Sequence, residues 1–122
     1  MAQLGELERV VMERVWAWNR EVSVRDVLED LQQYRVIAYT TVMTIMHRLE
    51  RKGFLVRVSS ARTHTFRAAT TREAHVAEAM ADAWSTAGDR QSALMHFVER
   101  MSAAEARQLR ALLSKPKRKG RA

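Results

Sequence analysis

The sequence predicts a mainly α chain with one small β-hairpin: three helices, the hairpin, then three further helices. Three observations carry that expectation. In the stretch Ala38 to Gly53, AYTTVMTIMHRLERKG, the apolar residues Val42, Ile45, Met46 and Leu49 stand at i, i+3, i+4 and i+7, one stripe of a helix. Directly after Gly53 the period changes from 3.6 to 2, through Phe54–Val58 and again through Thr63–Ala68. From Thr70 the helical period returns and persists to about Ser114, broken at Gly88.

The first helix is expected over Leu4 to Trp18, with Leu4, Leu7, Val11, Val15 and Trp18 inward and Glu6 and Glu8 near the positive end of its dipole. Trp16 and Trp18 suit core or interface positions; a stacking platform for single strands is the other use of such residues. Asn19 to Val22 reads as a break. Ser23 with Asp26 three residues on makes a capping box that opens a second helix to about Tyr34, with Val24, Val27, Leu28 and Leu31 inward. The turn Arg35 to Ile37 then leads into the third helix, and a tight connection between second and third makes a helix-turn-helix.

Opposite its apolar stripe, the third helix presents Thr40, Thr44, His47 and Arg51, with Thr41 and Arg48 on one flank and Met43 on the other. A solvated helix face normally mixes charge signs, whereas this one carries hydroxyls near its start, cations near its end and no acid. That face suits DNA: threonines reach base edges and thymine methyls, and arginine or lysine meets phosphates. An ordinary amphipathic helix is the competing explanation. Charge favours DNA, because residues 1–35 hold five arginines against seven acids while residues 36–70 hold six basic residues against Glu50 alone. The hairpin is expected to point Arg57, Arg62 and Arg67 outward as a wing along a phosphate backbone; the alternative is a hairpin that only covers the core.

The last third reads as a separate helical region. Thr70 with Glu73 and Ser102 with Glu105 have capping-box spacing, placing helix starts near 71 and 103 with a third helix from about Arg90. Their stripes are Val76, Met80, Ala83 and Trp84; Leu94, Phe97, Val98 and Met101; and Ala106, Leu109, Leu112 and Leu113. Three short helices without another layer leave apolar surface open, so a second copy of the chain is expected to cover it, docking onto the first domain being the alternative. The expected domains are 1–70, a winged helix-turn-helix; 71–114, a helical dimerisation region; and 115–122, a basic tail whose KPKRKGR holds five positive charges.

Composition excludes several classes. The 122 residues carry a net charge of +7, which favours polyanionic partners. There is no cysteine, so disulfides and thiolate metal sites are ruled out, and His47, His64, His75 and His96 are too scattered to suggest zinc. The start MAQLGELERV lacks a signal-peptide core, and no apolar run approaches membrane-spanning length, so a cytoplasmic location is expected. No phosphate loop, nucleophile elbow or carboxylate pair points to an enzyme, and no cofactor is implied. A winged helix serving as a protein-interaction or non-specific nucleic-acid-binding module remains the alternative function.

Four blocks, LGELERVVMERVW, VRDVLEDL, AYTTVMTIMHRLERKGFL and SALMHFVERMSAAEARQLRALL, together resemble the penicillinase-repressor family, also named BlaI/MecI/CopY, in register and order to about Ser114. The resemblance implies a homodimeric repressor of inverted-repeat operators, often including its own promoter, joined through its C-terminal helices. By position it implies base contacts from Thr40, Thr41, Met43 and Thr44, with Arg48, Arg51 and Lys52 on phosphates; some relatives have a long basic residue where Met43 stands. In the antibiotic-resistance branch a membrane sensor-protease signals cleavage before a phenylalanine, which here is the His96–Phe97 bond, although His96 replaces the asparagine of those relatives. The metal hook of the copper-sensing branch is excluded, because it needs cysteines.

Overall fold

The computed structural model describes residues 3–59 and 64–115. Their elements are α1 (Glu6–Trp18), β1 (Val22–Ser23), α2 (Val24–Gln32), α3 (Tyr39–Lys52), β2 (Leu55–Ser59), β3 (His64–Ala68), α4 (Arg72–Ser85), α5 (Arg90–Glu99) and α6 (Ala103–Leu113). The chain divides into two compact units, Met1–Ala79 and Met80–Ala122, with α4 running from the first into the second.

In the first unit, local capping chemistry sets the element boundaries. Asn19 adopts a left-handed conformation, φ 52°, and its N–H closes α1 on Val15 O at 3.0 Å. The Ser23–Asp26 box forms as expected: Asp26 N–H donates to Ser23 Oγ at 3.0 Å and Ser23 N–H to Asp26 Oδ2 at 2.9 Å. That Ser23 N–H, helped by Arg20, holds the Asp26 carboxyl below its ordinary range against the opposing effect of burial. At the end of α3, Phe54 N–H donates to Leu49 O at 2.9 Å and Gly53 N–H to Glu50 O at 3.0 Å, a Schellman closure that requires φ 90° at Gly53. The chain therefore leaves α3 directly into the hairpin.

The sheet has the order β1-β3-β2, antiparallel throughout. β1 lies partly in the stretch expected only to break: Val22 pairs with Phe66 and Ser23 with Thr65. Two residues are too few for alternation to reveal a strand. Register also corrects the hairpin. Arg57 stands opposite Phe66, and directly opposed residues share a face, so Arg57 lies on the inner side with Leu55, Phe66 and Val22, while Arg67, opposite Val56, points outward.

The core takes the expected stripes: Val11 and Val15 of α1, Val24, Val27, Leu28 and Leu31 of α2, and Val42, Ile45, Met46 and Leu49 of α3, joined by Met12, Val22, Ile37, Phe54, Leu55 and Phe66. Arg14 and Asp30 form two contacts of 2.8 Å that tie α1 to α2. The indole N–H of Trp16 donates to Thr70 O at 3.0 Å, and the His75 ring sits near both Trp16, at 5.5 Å, and Phe54, at 5.1 Å. Thr71 rather than Thr70 caps α4, its Oγ1 accepting from Ala74 N–H at 3.0 Å.

In the second unit, Asp89 caps α5 and Ser102 caps α6, the latter with the expected Glu105 box. Among the described residues, α4, α5 and α6 bury none. Trp84 Nε1 donates to Arg90 O at 3.0 Å, closing the turn between α4 and α5. Replacing Gly53 by alanine puts a Cβ on a left-handed residue, so Gly53→Ala is expected to destabilise the first unit by about 1–2 kcal/mol. Urea unfolding followed by circular dichroism checks this; an unchanged midpoint contradicts it.

Candidate nucleic-acid interface

α3 is built so that one face is fixed and the other is free. Its four buried residues pack against α1, α2 and β2, and Thr40, Thr41, Thr44, His47, Arg48 and Arg51 are left exposed on the opposite side. No side chain caps its N-terminus. Arg51 and Lys52 occupy the last turn, where the helix dipole favours cations. Thr44 Oγ1 donates to Thr40 O at 2.9 Å, which leaves its oxygen lone pairs and its methyl facing outward. Such a group accepts from a cytosine or adenine amine, or touches a thymine methyl. Met43 is half-buried against the edge of the core, so only part of it is available to a ligand.

The expected phosphate-binding cations separate into two kinds. Arg51 and Arg67 are exposed and form no ion pair among the described residues. Arg57, expected to point outward, instead bonds Glu50 Oε1 at 3.0 Å, with its guanidinium 5.4 Å from the Phe66 ring centre. Glu50, the one acid of residues 36–70, is thus matched inside the molecule and fastens β2 to α3. His47 of α3 also lies near β3, its ring 6.2 Å from that of Phe66. Arg62 and residues 116–122 of the basic tail lie outside the described residues.

Lys52 is held by Glu8, which sequence reasoning treated only as a favourable charge near a helix start. Lys52 Nζ donates to Glu8 Oε1 at 2.7 Å, and Gly5 N–H donates to the same oxygen at 2.7 Å. A Cβ on Gly5 would come within 3.3 Å of that oxygen, so the absent side chain gives the carboxylate room. Arg48 Nε is 3.9 Å from Glu8 Oε2. Burial by itself pushes the Glu8 carboxyl up, but the Lys52 and Gly5 hydrogen bonds and the charges of Lys52 and Arg48 outweigh it and hold the group below its ordinary range. Glu8, Arg48, Lys52, Thr40, Thr41 and Thr44 line one cleft of about 580 Å³. The sequence separation of 44 residues between Glu8 and Lys52 gave no local signal of the pair.

The second unit shows a different surface. Met80, Ala83, Trp84, Ala93, Leu94 and Phe97 line an apolar groove of about 410 Å³. Val98, Leu112 and Leu113 are likewise exposed, and Met101 and Leu109 are half-buried; Val76, in the part of α4 that belongs to the first unit, is exposed as well. The His96–Phe97 bond lies inside α5, where His96 is 3.7 Å from Glu99. Among the described residues no group of three or more His, Cys, Asp or Glu side chains could hold a metal, and no helix is long and apolar enough to cross a membrane.

Residues 4–115 match the sequence model of the penicillinase repressors. The chain belongs to the penicillinase repressor family. It is 42% identical over 117 residues to the transcriptional regulator BlaI of Mycobacterium tuberculosis, strains CDC 1551 / Oshkosh and H37Rv, a match covering 93% of this chain and 85% of that protein. The family is one of regulators rather than enzymes. Among solved structures, the chain resembles a single-substitution mutant of S. aureus MepR bound to an oligodeoxyribonucleotide, with 20% identity, a TM-score of 0.50, and coverage of 89% of this chain and 74% of that one. It also resembles a MarR family protein from Bacillus stearothermophilus, with 18% identity, a TM-score of 0.51, and coverage of 93% and 78%. These likenesses concern the fold, a mostly helical winged helix-turn-helix.

Removing Lys52 leaves Glu8 buried without its main partner. Lys52→Met is expected to cost about 3 kcal/mol at neutral pH, the low end for a broken buried pair, because the ammonium is partly exposed. The sign with pH follows from the depressed carboxyl: in the unaltered protein its stabilisation is complete above the ordinary glutamate value of about 4.3 and is lost as pH falls through the lower folded value. In Lys52→Met the buried acid favours its neutral form, so the deficit relative to the unaltered protein should shrink between pH 7 and pH 4. Urea unfolding at both values checks this, and a deficit that is constant or grows contradicts it.

Proposed function

We propose that this chain is a homodimeric, sequence-specific DNA-binding repressor that acts in the cytoplasm on inverted-repeat operators, its own promoter included. The observation that carries this is the exposed, acid-free face of α3, with threonines at one end and arginines at the other. In this reading α3 enters a major groove; Thr40, Thr41, Thr44 and the exposed part of Met43 meet base edges, and Arg48, Arg51 and Arg67 meet phosphates. Lys52 and Arg57 stand close to the same surface with their charges matched by Glu8 and Glu50. Membership of a repressor family supports the reading, as does the oligonucleotide bound to the MepR mutant of like fold.

A second copy is the proposed cover for the apolar side chains of α4 to α6. Val76, Met80, Trp84, Leu94, Phe97 and Val98 are between 38% and 53% exposed, more than isolated surface residues account for in so short a region. Met101, Leu109 and Leu113 would complete that interface. A two-fold dimer presents two copies of α3, which matches the inverted repeat of the proposed operator. Relief of repression by a membrane sensor-protease at His96–Phe97 belongs to the same reading, and it requires α5 to open locally first, because the bond is helical.

Thr44→Ala is expected to weaken binding to a duplex from the upstream region by about 1–3 kcal/mol and to leave random duplex unaffected. Fluorescence anisotropy on both duplexes measures this; equal losses would move Thr44 to a phosphate-contacting role. Trp84→Asp or Phe97→Asp should give monomers with weakened operator binding, since a buried charge without a partner is costly. Sedimentation reports the state, and dimers surviving both changes would displace the proposed interface.

A further inference from the structure

Lys52 lies in the last turn of α3 at the edge of its apolar stripe, and its charge is turned toward α1. Its Nζ donates to Glu8 Oε1 at 2.7 Å and to Gln3 O at 2.9 Å, which occupies two of its three donors. Glu8 is 4% exposed and cannot turn to water, and its Oε2 has no hydrogen-bond partner, only the Arg48 guanidinium 3.9 Å away. The first turn of α1 does not need an acid there, because a neutral glutamine oxygen could accept the same Gly5 N–H. What the carboxylate adds is a full negative charge facing Lys52. The pair lines one cleft with Thr40, Thr41 and Thr44, so a duplex laid on the threonines brings phosphates within reach of a released lysine stem.

Resting on the DNA-binding reading above, we propose that Glu8 is a positioning residue that withholds Lys52 from the phosphate backbone and so keeps DNA affinity, and its salt dependence, below what the basic residues of α3 would give. Each phosphate neutralised by a free cation releases counterions and steepens the fall of affinity with salt by about 0.9 in the logarithmic slope. A lysine already neutralised by a buried carboxylate releases none. Arg51, exposed and without an ion pair among the described residues, then supplies the phosphate contact at this end of the helix.

The test is the slope of log affinity against log salt for the full chain on a random-sequence duplex, in four proteins: unaltered, Glu8→Gln, Glu8→Gln with Lys52→Met, and Arg51→Met. The double variant removes the buried pair together and leaves no unmatched buried charge. Expected per DNA-bound subunit are a slope steeper by about 0.9 for Glu8→Gln, the unaltered slope for the double variant, and a slope shallower by about 0.9 for Arg51→Met. An unaltered slope for Glu8→Gln, with or without a shallower one for the double variant, overturns the inference while leaving the DNA-binding reading in place. Should Glu8→Gln fail to fold by circular dichroism, the double variant decides: a slope equal to the unaltered protein supports withholding, and one shallower by about 0.9 overturns it. Absence of salt-dependent duplex binding by the unaltered protein removes the DNA-binding reading, and the inference with it.

Discussion

The first unit depends on four side chains of one helix. Val42, Ile45, Met46 and Leu49 are at most 4% exposed, and α1, α2 and β2 all pack against the helix that carries them. Full burial of four such residues is worth on the order of 6–12 kcal/mol, comparable with the whole stability of a small domain. A helix committed so heavily on one side cannot rotate about its axis without opening the core. The direction in which its threonines and arginines point is therefore fixed by packing before any ligand arrives, and what remains for polar chemistry is to decide which cations are available.

That decision is made by two acids. Glu8 and Glu50 each hold a cation that sequence patterning would leave free, Lys52 in one case and Arg57 in the other. The basic surface around α3 is consequently narrower than the run of six basic residues in 36–70 implies. The two pairings also have structural effects: Glu8 joins the start of α1 to the end of α3, and Glu50 joins α3 to the hairpin. Ion pairing and fold are set by the same contacts.

The helices were legible because their signals are local. The stripes of α2 and α3, the Ser23–Asp26 and Ser102–Glu105 boxes and the glycine stop at Gly53 each lie within one or two turns, and each formed where spacing placed it. Signals that depend on distant partners were not legible. β1 is defined only by pairing with Thr65 and Phe66, more than 40 residues on. Arg57 alternates with valines, and alternation separates two faces without saying which is inward; Phe66 opposite it and Glu50 beneath it decide the matter. The α4 cap falls at Thr71 rather than Thr70, whose carbonyl instead accepts from an indole 54 residues earlier in sequence. Of the candidate interface, the threonine face was readable from the helical wheel, whereas the sorting of cations required the tertiary fold.

The bond from Lys52 Nζ to Gln3 O holds Gln3 against the last turn of α3. Whatever is joined ahead of Gln3 is therefore tethered at the C-terminal end of α3, eight residues beyond Thr44. If a duplex docks on α3 as proposed above, an affinity handle or fluorescent fusion attached there would share space with it, and a polyhistidine run would add its own partial charge to that surface.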